Sequence, residues 1–135
     1  MIVVDASVVL AWCFRDEGDA IAERALDLVV TEGAAAPAHW PLDVANGLLT
    51  AERRRRISTA DVAKARELLG ALDIEIVPVE LSTAGGSVLD LARKHSLSAH
   101  DAAYLGLAWF RNVALATIDE ALIRASRREG VPLAT

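Results

Sequence analysis

At 135 residues, with 53% hydrophobic and 24% charged residues, the chain has the length of one packed domain and is too apolar for a disordered tract. Its lone cysteine, Cys13, excludes an internal disulfide and fits a reducing cytosol. The 19 acids against 14 Lys plus Arg give a formal net charge of −5, which argues at first sight against a nucleic-acid partner.

Residues 2–5, IVVD, are brief, continuous and β-branched, the pattern of a short buried strand. No Lys or Arg precedes this run and Asp5 interrupts it, so it does not read as a signal peptide. No later stretch approaches the roughly 18 unbroken apolar residues of a membrane span. A soluble cytoplasmic protein with no membrane partner is expected. Ser7 to Phe14 reads as a short helix, and 19–30 as an amphipathic one stopped by Gly33. AAAPA, 34–38, has poor β-propensity and is read as a strand from its context.

Residues 41–56 form a predicted helix with Pro41 in its first turn, where a missing N–H does no harm. Ser58 caps a helix over 59–71. IEIVPV, 74–79, is a strand, followed by a helix over 82–95. Residues 98–110 are apolar on most sides, as in a buried helix. VALAT, 113–117, is a strand; 119–128 is a helix ended by Gly130; VPL, 131–133, is a short last strand. Strands alternating with helices predict one α/β domain over 1–135, a sandwich with a mainly parallel central sheet.

In such a sheet ligands bind beyond the C-terminal strand ends. Asp5 and Asp119 each follow a strand, and Asp43 and Asp101 each lie in the first turn of a helix, so all four carboxylates are expected at one rim. Each has a simpler reading. Asp5 suits a helix N-cap, and Ser98 with Asp101 has capping-box spacing. Asp43 and Asp119 suit the positive end of a helix dipole. The combination favours a site, because clustered like charges resist ionising together unless a cation compensates. Hard oxygen donors suit Mg²⁺ or Mn²⁺, and the histidines and cysteine have no zinc-ligand spacing. Four acids engaged by metal also leave the remaining charge nearly balanced, which weakens the objection to nucleic acid.

The segments MIVVDASVVLAW, APAHWPLDVANGLL, LSAHDAAYLGLA and LATIDEAL, in this order, resemble the PIN-domain ribonucleases, specifically VapC-type toxins of type II toxin–antitoxin pairs. The resemblance covers essentially the whole chain. It implies a Mg²⁺- or Mn²⁺-dependent ribonuclease whose catalytic metal ligands are Asp5, Asp43, Asp101 and Asp119. Ser7, Asn46 and Thr117 match small polar positions that support the site. It further implies RNA as substrate, a VapB-like antitoxin and a homodimer. One departure is Asp43, where the family usually has Glu; the shorter acid keeps the charge but loses one methylene of reach, and activity is expected to survive the change, whether or not at a reduced level.

Ser7 is expected to orient a carboxylate or cap a helix rather than attack. Asn46 lies one turn from Asp43, on the same face. Arg53, Arg54, Arg55 and Arg56 suit either a solvated helix end or contact with RNA phosphate or an acidic antitoxin segment. His100 is next to Asp101; His39 and His95 have less to offer. Trp12, Trp40, Tyr104, Trp109 and Phe110 are expected in the core or a dimer contact. Two other readings are a PIN-like binding module without catalysis and a receiver-like phosphoacceptor. The second lacks paired acids after the first strand and a lysine after VALAT.

Overall fold

The computed structural model describes residues 1–14 and 19–134. Its sheet has four parallel strands: β1 (Ile2–Val4), β2 (Ala34–Pro37), β3 (Ile74–Val77) and β4 (Ala114–Ala116). Their spatial order is β3-β2-β1-β4, so the first strand lies inside the sheet. That position explains its composition. Val3 and Val4 are fully buried, and β-branched side chains pack well on a pleated surface. Burial of each such side chain contributes about 1.5–3 kcal/mol.

The weak β2 sequence forms a strand because of where it lies. Ala34, Ala35 and Ala36 are buried between β1 and β3, with Val3 paired to Ala35 and Ile76 to Ala36. Pro37 comes after the last residue paired with β1, so its missing N–H interrupts no bond on that side.

The helices are α1 (Ala6–Cys13), α2 (Ala20–Glu32), α3 (Trp40–Arg53), α4 (Thr59–Gly70), α5 (Leu81–Thr83), α6 (Leu89–His95), α7 (Ala99–Arg111) and α8 (Glu120–Glu129). They flank the sheet. No helix among the described residues is long and apolar enough to cross a membrane. The helix expected over 82–95 runs unbroken from Leu81 to His95, with a π-helical turn, Ala84–Val88, joining α5 to α6. Gly85 and Gly86 lie in that turn.

Several ends are as expected. Gly33 closes α2 at φ +77°, a left-handed value that costs glycine little. Ser58 caps α4 in a capping box with Asp61, and the reciprocal bonds hold the Asp61 carboxyl below its usual range. α3 ends earlier than its sequence suggests, at Arg53, because Arg55 turns to φ +58°. Residues 131–133 make one parallel bridge, Leu115 to Leu133, in place of a full strand.

The candidate acidic site

Asp5 follows β1 directly and caps α1, accepting from the Val8 amide at 3.1 Å. Its Oδ1 also accepts from the Ser7 hydroxyl at 2.6 Å, and its Oδ2 from the Thr117 hydroxyl at 2.5 Å. Both hydroxyls accept in turn: Ser7 Oγ from the Ile118 amide at 3.2 Å, and Thr117 Oγ1 from the Asp119 amide at 3.0 Å. Two small polar residues thus fasten the end of β1 to the loop after β4. Asp5 is only 3% exposed, and burial pushes its carboxyl up to about 6 despite these hydrogen bonds; Asp119 adds to the rise. A capping carboxylate in solvent would show no such burial effect.

The other three acids come from three further elements. Asp119 caps α8, with Oδ1 accepting from the Leu122 amide at 2.9 Å. Asp101 lies in the first turn of α7, where its amide donates to Ser98 Oγ at 3.1 Å. Burial raises the Asp101 carboxyl above its usual range, with Asp119 and Asp43 adding repulsion. Asp43 lies in the first turn of α3, and its Oδ2 accepts from the Tyr104 hydroxyl at 2.9 Å. Burial and this negative neighbour keep the Tyr104 phenol protonated well above its ordinary range.

All four acids line one cleft of about 300 Å³, together with Ser7, Asn46, Gly47, Ser98, His100 and Tyr104. The sheet explains the meeting: Asp5 and Asp119 follow neighbouring parallel strands, while α3 and α7 begin at the same rim. Thr117 is buried behind Asp5 and Asn46 is exposed on α3, one turn beyond Asp43. Arg53, Arg54, Arg55 and Arg56 do not line this cleft. Arg56 instead stands 5.0 Å over the Phe14 ring, beside a second hollow between α1 and α4.

Two residues near the acids were not legible as partners in the sequence. His39 packs against Asp43, with Nε2 3.5 Å from Oδ2; burial lowers its pKa and Asp43 partly offsets this. Its spacing of four residues from Asp43 was the available signal. Tyr104 is in the core as expected and is also the donor to Asp43. Of the residues expected in the core or a dimer contact, Trp109 and Phe110 lie outside the core, being 59% and 82% exposed.

Among the described residues, no three His, Cys, Asp or Glu side chains are drawn together into a group that could hold a metal ion. The donor chemistry nevertheless fits one kind of cation. The four acids supply only hard oxygens. Asp5, Asp119 and Asp43 each have at least one oxygen committed to a protein hydrogen bond. Mg²⁺ dehydrates reluctantly and is commonly bound by one or two carboxylates plus water and substrate phosphate. An open acidic cleft suits that mode better than a closed cage.

A family model described as PIN domain matches residues 2–128. Among solved structures, the crystal structure of PAE2754 from Pyrobaculum aerophilum matches with a TM-score of 0.69 and 19% identity, over 92% of this chain and 83% of that one. At that identity the likeness shows the fold alone. No curated protein matches the sequence. PIN domains are in general metal-dependent nucleases. The family match runs from β1 into α8 and so takes in every element that supplies an acid to the cleft: the chain belongs to the PIN-domain family.

Proposed function

We propose that the cleft is the active site of a metal-dependent endoribonuclease, a toxin of the VapC type neutralised by a VapB-like antitoxin. The observation that carries this reading is Asp5: a carboxyl buried at a strand end, raised to about 6, opening on a cleft with three more acids. Such a group is costly to ionise until a cation arrives. The order of the four sequence segments supports the toxin assignment.

In this reading Asp5, Asp43, Asp101 and Asp119 hold Mg²⁺ or Mn²⁺. Such an ion, when bound there, would supply an acidified water and would offset charge on the scissile phosphate. The protein residues do the positioning. Ser7 and Thr117 fix both oxygens of Asp5, so the carboxylate does not reorient during turnover. Asp119 is held by the start of α8 through one oxygen. Exposed Asn46 meets the substrate phosphate. The exposed Arg53, Arg54 and Arg55 suit an acidic antitoxin segment better than the scissile phosphate, since they lie outside the cleft. The protein acts in the cytoplasm as a homodimer.

A second reading, a PIN-like RNA- or protein-binding module without catalysis, is favoured by the aspartate at position 43, one methylene shorter than the glutamate usual in the family, and by the lack of a ready-made ligand group among the described residues. RNA cleavage by the purified protein, with Mg²⁺, Mn²⁺ or EDTA and beside Asp5→Asn, decides between them. Metal-dependent cutting lost in the variant supports the nuclease. RNA binding without turnover gives the second reading. Growth arrest on induced expression, absent for Asp5→Asn, tests the toxin role.

A further inference from the structure

The start of α3 holds side chains that the four-acid assignment does not use. Tyr104 is 1% exposed, so the core fixes its ring while its hydroxyl reaches Asp43 Oδ2 at 2.9 Å. His39 lies between two rings. Its centroid is 4.9 Å from that of His100, stacked at 27°, and 4.9 Å from that of Tyr104, edge-on at 61°. His39 Nε2 is 3.0 Å from the His100 carbonyl oxygen. A carbonyl only accepts, so Nε2 carries a hydrogen and donates it. That bond crosses 61 positions of sequence and joins the start of α3 to the first turn of α7. The two turns it joins carry Asp43 and Asp101.

An aspartate has two side-chain torsions, and a hydrogen bond from a buried, immobile phenol fixes the second. Oδ2 of Asp43 is thereby committed, while Oδ1 accepts from none of the described residues.

We propose that Tyr104 and His39 are positioning residues for Asp43: the phenol sets the carboxylate plane with Oδ1 presented to the cleft, and the imidazole bolts the Asp43 turn to the Asp101 turn. The inference rests on the cleft being the cation-dependent nuclease site. Asp43 then acts through one oxygen, with a fixed direction offsetting its short reach.

The test compares wild type with Tyr104→Phe, His39→Ala and His39→Gln, each also in an Asp43→Asn background. Three quantities are measured: the Mn²⁺ dissociation constant by electron paramagnetic resonance, kcat and KM on RNA, and Tm in EDTA. Tyr104→Phe keeps the ring and removes only the donor. It is expected to weaken Mn²⁺ binding about ten-fold and to lower kcat comparably, with KM little changed. In the Asp43→Asn background it should have no further effect on Mn²⁺ affinity. His39→Gln retains an amide donor for the His100 carbonyl and should stay near wild type, whereas His39→Ala should follow Tyr104→Phe. A lower Tm with unchanged Mn²⁺ affinity, or an equal loss with and without Asp43, overturns the proposal. A wild type that neither binds Mn²⁺ nor cuts RNA removes the nuclease reading and this inference together. A wild type that does both, matched by Tyr104→Phe and His39→Ala, removes the inference alone.

Discussion

Thr117 donates its hydroxyl to Asp5 at 2.5 Å across 112 positions of sequence. The same oxygen accepts from the Asp119 amide, so one hydroxyl serves two acids. Thr117→Val keeps the shape and deletes both bonds. It leaves the buried Asp5 short of a donor, and the expected loss of stability is about 1–3 kcal/mol. Urea denaturation measures it. The same variant should weaken Mn²⁺ binding, since Asp5 loses its fixed direction. A Val variant as stable as wild type would show that Asp5 finds another donor.

The raised Asp5 carboxyl gives stability a pH dependence with a definite sign. Its folded pKa is about 6 against an ordinary 3.8. Between these values the folded protein binds the proton and the unfolded chain does not. Asp5 therefore lowers stability as pH rises from about 4 to 6, by about 3 kcal/mol in metal-free protein, and the loss persists above that window. Asp5→Asn removes this penalty. In EDTA its Tm should exceed that of wild type at pH 7.5, and the advantage should vanish near pH 4. Thermal scans across this range check it. Equal pH profiles for the two proteins would mean that Asp5 is solvated better than its burial implies.

The same proton competes with metal. Added Mn²⁺ stabilises only the form that binds it, by about 2.7 kcal/mol at 100 times its dissociation constant. The Tm gain should be large at pH 7.5, small at pH 5 and absent in Asp5→Asn. Differential scanning fluorimetry with matched EDTA samples measures it.

Gly47 tests packing at the wall of the cleft. A Cβ built there runs into the Leu10 side chain, where α3 crosses α1. Gly47→Ala should cost about 1–3 kcal/mol through overpacking, although alanine is the better helix former. Adding Leu10→Ala should recover part of the Gly47→Ala loss, because the two changes meet at one contact. Purely additive losses in denaturant melts would rule the collision out.

The sequence disclosed the rim more readily than the contacts around it. Asp5 and Asp119 were legible because each ends an apolar run, and parallel topology sends both to one side. Asp43 was legible because its helix follows β2 and starts at that rim; α7, with Asp101 in its first turn, follows α6 and runs back into the start of β4, which puts its own beginning at the same rim. The β2 alanines have little strand preference of their own; burial between two neighbours makes them a strand. The four arginines have no periodicity to mark a stop, and α3 ends where Arg55 adopts a positive φ. The π-helical turn left only two adjacent glycines as a sign. The ties from Tyr104 to Asp43 and from His39 to His100 each span 61 positions, and no local pattern encodes a pairing at that distance.

The segment after α8 has its own consequence. The Leu115 amide donates to the Pro132 carbonyl at 2.9 Å, and the Ala134 amide donates to the Leu115 carbonyl at 3.0 Å. β4 is therefore flanked on both sides, and β1 becomes the third of five adjacent chain segments. One margin of this array is β3, two strands from Asp5, and the other is the segment after α8, which shields β4. Fraying begins at such margins. Amide exchange should then be fast along β3 and slow at Leu115 and Ala116, so the acid-bearing half of the sheet stays closed while its far side breathes.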